Sequence, residues 1–207
     1  MHIDSIAKLR ELYAAPRERA VKKQLSELDE HCRRFIERSA FVVVASGLVR
    51  SEADCMTKQG LDASPRGGSP GFVNILDANT LLIPDSPGNN RLDTLENIIL
   101  AGQVGLLFLI PGMDETLRVN GVATLHTDAH YLDTCTTEIR RPKLVIKVVV
   151  CEAYLHCAKA FMRSKLWDAH SHIDRLSMPT MNEMVGAQTG ISSESQEETM
   201  KRYLTEL

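Results

Sequence analysis

From Val21 to Ile36 the apolar residues Val21, Leu25, Leu28, Cys32, Phe35 and Ile36 recur at intervals of three and four, the spacing of one apolar stripe on a helix. Residues 1–39 are therefore expected to be helical. Asp4 or Ser5 caps a short first helix, and Pro16 suits the first turn of a second. At Ala40 the texture changes. FVVVASGLV (41–49), LDASPR (61–66), GFVNILDANTLLIPD (71–85), VGLLFLIPG (104–112), LRVNGVATLH (117–126) and KLVIKVVVCEAYLH (143–156) are short and rich in β-branched residues. Turn residues such as Lys58-Gln59-Gly60, Asp77-Ala78-Asn79 and Pro111-Gly112-Met113-Asp114 separate them. Six or seven strands at this spacing predict an antiparallel barrel or sandwich. RLDTLENIILAG (91–102) breaks the pattern, with Leu92, Leu95, Ile98 and Ile99 at helical spacing and Gly102 at the end. One helix is expected to cross between two strands.

After His156 the helical pattern returns in CAKAFMRSKLWDAH, where Ala158, Phe161, Met162 and Leu166 share a face. Further helices are expected from Pro179 to Gln188 and from Ser193 to Leu207. With no repeat and no low-complexity linker, the chain reads as one domain: N-terminal helices 1–39, a β region 40–156 and C-terminal helices 157–207.

At 207 residues, 43% hydrophobic and 25% charged, the composition is that of an ordinary globular protein. A formal charge of −3 gives no general attraction to nucleic acid or anionic lipid, so any anion site must be local. Five cysteines at irregular spacing argue for a reducing compartment. The start MHIDSIAKLRELY carries charge where a signal peptide is apolar, and the longest apolar runs are too short for a bilayer. A cytoplasmic protein with no membrane or nucleic-acid partner is expected. No C-x-x-C occurs, and His126/His130 and His170/His172 lack an H-E-x-x-H setting, so no metal site is expected.

The segment IPDSPGNNRLDTLENI (83–98) places Asn89, Asn90 and Arg91 where a strand gives way to a helix. It is either a polar turn or a seat for an anion. A helix N-terminus offers free N–H groups and partial positive charge, and a guanidinium grips phosphate through two hydrogen bonds. A second basic turn, SPRGGSPG (64–71), carries Ser64 and Arg66, which reach the same phosphate if the strands pair. Its Gly67, Gly68 and Gly71 allow the main chain to approach a ligand.

The order of strand, basic turn, strand, PDSPGNNRLDTLENI and then VGLLFLIPG…ETLRVNG resembles the pyridoxamine 5′-phosphate oxidase-like flavoproteins over about residues 35–165. The resemblance implies a six-stranded antiparallel split β-barrel with peripheral helices, binding FMN at a homodimer interface. It implies a phosphate contact at Asn89, Asn90 and Arg91, another near Ser64 and Arg66, and Thr116 and Arg118 beside the isoalloxazine edge. Reading the residues alone, Thr116, Arg118 and Asn120 alternate with Leu117 and Val119. The polar set either lines a cleft or faces solvent.

Lys159 and Arg163 are four apart and share a helical face, and Trp167 continues the row. The row is either a surface helix with Trp167 in the core, or the part of a second subunit that completes the flavin site, as in the resembling family. The resemblance implies an FMN-dependent oxidoreductase that transfers hydride through flavin N5 on a small organic substrate, with reduced nicotinamide as one electron source. A deazaflavin meets the same requirements as FMN. The alternatives are a flavin- or heme-binding carrier or sensor, and a dimeric module whose basic corner binds nothing.

Overall fold

The computed structural model describes residues 2–47, 60–137, 139–191 and 194–206. In chain order the elements are α1 (Ile6–Glu11), α2 (Glu18–Lys22), α3 (Glu30–Arg38), β1 (Phe41–Gly47), β2 (Leu61–Gly67), β3 (Asn74–Ile75), β4 (Thr80–Pro84), α4 (Asp93–Ala101), β5 (Gln103–Leu109), β6 (Thr116–His126), α5 (Ala129–Thr134), β7 (Val145–His156), α6 (Lys159–Ser164), α7 (Met181–Thr189) and α8 (Gln196–Glu206). Residues 48–49, 58–59, 193 and 207, which the expected elements and turns include, lie outside the described residues.

One antiparallel sheet runs in the order β2-β1-β5-β6-β7-β4-β3. It has seven strands because the turn at Asp77-Ala78-Asn79 divides 71–85 into β4 and the two-residue β3. Among the described residues the sheet stays open, with β2 and β3 as its edges. Alternation fixes the two faces. Val42, Val44, Leu106, Phe108, Leu117, Val119, Ile146 and Val148 are each at most 2% exposed and share the inner face. Burying each such side chain stabilises the fold by about 1.5–3 kcal/mol. Between Asn120 and Gly121 a bulge shifts the β6–β7 register. A Cβ on Gly121 would stand 2.2 Å from the Val149 carbonyl oxygen, so only glycine fits there.

Helix α3 closes the inner face with Cys32, Phe35 and Ile36. Asp29 caps it, accepting a 2.8 Å bond from the Cys32 amide, and this bond holds the Asp29 carboxyl below its ordinary pKa. The single long helix expected after Pro16 is broken between Lys22 and Glu30. There Leu25 leaves the helical stripe and exchanges two 2.9 Å backbone bonds with Ala153, along the part of β7 that β4 does not reach.

Helix α4 packs on β1, β2 and β6 and ends at Gly102, whose φ of 69° suits glycine. Its inward residues are Thr94, Leu95, Asn97 and Ile98, whereas Leu92 and Ile99 of the expected stripe are 48% and 73% exposed. The helix is rotated so that its polar half meets Ser46 and Asp62: Asn97 donates to Ser46 Oγ at 3.2 Å, and Thr94 donates to Asp62.

Candidate functional site

Two polar regions flank the sheet. The first is the corner between β4 and α4. Asn89 accepts a 3.0 Å bond from the Arg91 amide, and Asn90 turns the chain with a φ of 58°, a conformation asparagine tolerates better than most residues. Among the described residues no side chain caps α4, so its first-turn N–H groups have no capping acceptor there. Arg91 Nε pairs with Asp93 at 2.6 Å. That bond, with the Asp93 and Asp62 charges, raises the Arg91 pKa further.

Asp62, Ser64 and Arg66 of β2 lie on the inner face, opposite Ser46, Val44 and Val42. The Arg66 guanidinium donates to Ser64 Oγ and, at 2.9 Å, to the Pro65 carbonyl. Burial raises the pKa of the half-buried Asp85, and the charges of Arg66, Lys143 and Arg140 partly offset this. The two basic turns thus come near one another, but not as their sequence suggested. β2 pairs with β1 and β4 pairs with β7. What joins them is the Thr94–Asp62 bond, the Arg91–Asp62 field and the Arg66–Asp85 field.

The second region is the outer face of β6 and β7. Arg118 is opposite Leu107 and Tyr154, and so faces away from Arg66. Its guanidinium carbon lies 5.1 Å from the Tyr154 ring centroid; Lys23 Nζ lies 5.8 Å from the same centroid and donates to the Leu155 carbonyl at 2.6 Å. His156 titrates below its ordinary pKa, through desolvation first and then the charges of Arg118 and Lys23. Thr116, opposite His156, is 2% exposed. Beyond the Arg118 pair, Glu152 accepts from both Asn120 and Gln24. Asn120, Glu152, Gly105 and Val122 line a groove of about 840 Å³. The alternation of Thr116, Arg118 and Asn120 thus runs from a buried hydroxyl to the wall of a groove.

The third expected group separates. Lys159 and Arg163 are exposed on α6. Trp167 does not continue their row, because Lys165 adopts a φ of 50° and ends the helix. The indole instead donates to the Met113 carbonyl at 2.9 Å and stacks on Phe161 at 5.8 Å, fixing α6 against the β5–β6 turn.

Lys23, Tyr154, His156, Asp62 and Asp85 were not anticipated. The alternation of Glu152, Tyr154 and His156 along β7 was the available signal. Among the described residues no group of three His, Cys, Asp or Glu side chains is placed to hold a metal. No helix there is long and apolar enough to cross a membrane.

No curated protein matches the chain. Similar solved structures include HupZ from Group A Streptococcus, at 15% identity over 60% of this chain and 90% of that one with a TM-score of 0.46. Another is the FAD binding protein from Mycobacterium smegmatis, at 14% identity over 64% and 97% with a TM-score of 0.41. A third is an FMN-binding protein from Syntrophomonas wolfei, at 10% identity over 73% and 97% with a TM-score of 0.42. The family model described as pyridoxamine 5′-phosphate oxidase matches residues 28–157, from the approach to α3 to the end of β7. By that match, which takes in more than half of the chain, the protein belongs to the pyridoxamine 5′-phosphate oxidase family.

Proposed function

We propose that the protein binds FMN and is an oxidoreductase acting on a small organic substrate. The observation that carries this reading is the bond from Thr94 of α4 to Asp62 of β2, which sets the strand carrying Ser64 and Arg66 beside the helix that Asn89, Asn90 and Arg91 precede. Guanidinium donors, side-chain amides and free backbone N–H groups match the oxygens of a terminal phosphate. In this reading Arg66, Ser64, Asn89, Asn90 and Arg91 hold the phosphate. Arg118 meets the ring, and with Lys23 favours negative charge near it; Thr116, 2% exposed, is too buried to touch the ring. FMN, when bound, supplies hydride exchange at N5; the residues bind, orient and set the local field.

The corner and Arg118 lie on opposite faces of the sheet. A planar ligand meets both around the β2 edge, or when a second copy supplies one of the sets. The second route supports a homodimer with FMN between its subunits, Lys159, Arg163 and Trp167 of one copy standing near the ligand of the other. Purified protein tests the reading. A yellow solution absorbing near roughly 450 nm, a property of the oxidised cofactor, is expected, bleached by reduced nicotinamide and restored by a small acceptor. Colour without bleaching leaves a carrier, and a colourless protein that FMN does not turn yellow ends the proposal.

A further inference from the structure

Both ends of the chain lie outside the core. Residues 2–24 are exposed throughout, and α1 and α2 are six and five residues long. Helices so short do not persist in water unaided. Their apolar residues are bare: Ile6 is 78% exposed, Leu12 64% and Tyr13 65%. The arm is anchored where it leaves the body, through Lys23 to Leu155, Gln24 to Glu152 and the Leu25–Ala153 bonds.

The other end is braced internally yet equally bare. Asn182 Nδ2 ties α7 to α8 through Glu194 O at 2.8 Å and Thr199 Oγ1 at 2.7 Å. Met181, Met200 and Leu204 remain 57%, 46% and 68% exposed. Residues 2–24 carry six Lys and Arg against three Asp and Glu, and residues 181–206 carry five Glu against two Lys and Arg. The ends therefore bear opposite net charge, +3 and −3, and the apolar residues of both stay exposed within one chain.

The whole chain exposes 14740 Å², whereas a compact monomer of 23.0 kDa exposes about 9,600 Å². The bare ends hold part of that excess, and an obligate interface takes roughly 1,000–2,500 Å² from each copy.

We infer that the α1–α2 arm of one copy docks on the α7–α8 pair of a second copy, reciprocally about a two-fold axis. Apolar stripes meet at the centre of each contact, and the basic arm faces the acidic pair. A two-fold dimer makes this contact twice with one set of residues, and opposite charge guides the ends together and fixes their orientation. The arm exchange goes beyond the flavin reading and does not depend on it.

Two full-length copies with different tags, one with the photo-cross-linker p-benzoylphenylalanine in place of Ile6, are co-expressed, purified through both tags in turn and irradiated. The expected product joins the two tagged chains, with the attachment inside residues 181–206. Reversing Arg10, Arg17 and Arg19 to Glu in the cross-linking copy lowers the yield about fivefold or more. The inference is overturned if no doubly tagged species is recovered, if the link closes within one chain, or if it maps outside 181–206. Flavin content is read separately by absorbance, so a failure of the arm exchange leaves the cofactor reading standing, and the reverse.

Discussion

Two arginine-bearing regions of this molecule are built on opposite principles. At the corner before α4 each guanidinium meets carboxylates of its own chain: Arg91 pairs with Asp93 at 2.6 Å and feels Asp62, and Arg66 acts on Asp85. On the β6–β7 strip Arg118 and Lys23 flank the Tyr154 ring, and among the described residues neither forms an ion pair. A compensated corner can exchange its carboxylates for phosphate oxygens with little change in local charge, so it suits an anion that stays. The strip is a standing positive field that helps hold His156 neutral. Such a field favours negative charge that arrives during a reaction.

The comparison breaks first at the corner. Arg66→Ala combined with Arg91→Ala is expected to lower FMN affinity about a hundredfold or more, as two charge-assisted contacts are lost. Quenching of flavin fluorescence on titration measures it, and unchanged affinity would move the phosphate elsewhere. At the strip the expected effect is smaller and of a different kind. Arg118→Ala is expected to weaken reduced FMN about tenfold more than oxidised FMN, one charge-assisted hydrogen bond's worth. The midpoint potential then falls. Equal weakening of both forms would make Arg118 a positioning residue with no role in stabilising the reduced anion.

What could be read in advance follows the range of the interactions involved. The strands and the corner were legible because their signals are local: alternation, turn residues, and an Asn-Asn-Arg run before a helix. The break before α3 was not, since Leu25 fits the helical stripe and leaves it only for a partner at Ala153. The rotation of α4 was hidden for a similar reason. Its inward Thr94 and Asn97 look like surface residues until Asp62 and Ser46 are placed opposite them. Trp167 was assigned to the Lys159–Arg163 row because one residue, Lys165, ends α6 in a conformation its sequence does not announce. The strip depends on the β6–β7 register across a bulge and on Lys23, which meets Leu155 from 132 positions away.

The strip also makes a prediction about stability. Tyr154→Leu removes two cation–π contacts and is expected to cost about 1 kcal/mol in denaturant unfolding. For pH the sign follows from His156, whose folded pKa lies below its ordinary value of 6.5. As pH falls below 6.5 the unfolded chain takes up the proton first, so stability declines until the folded pKa is passed. His156→Gln should remove that part of the decline. Arg118→Ala should raise the His156 pKa, as followed by the imidazole resonances in NMR; no movement would show that the Arg118 charge plays no part and leave desolvation and Lys23 as the causes.

The smallest expected effect lies back at the corner and bears most directly on its compensation. Asp93 is an acid in the first turn of α4 and holds an exposed arginine, a pairing that contributes little to folding. Asp93→Asn is therefore expected to leave the thermal midpoint nearly unchanged. It frees the Arg91 guanidinium and removes a negative charge where phosphate is proposed to sit, so FMN affinity should rise by up to about fivefold, more at low salt than at high. A loss of affinity would mean that Asp93 orients Arg91 toward the ligand and does not compete with it. The corner would then be a preorganised grip, and its contrast with the strip would rest on geometry more than on charge.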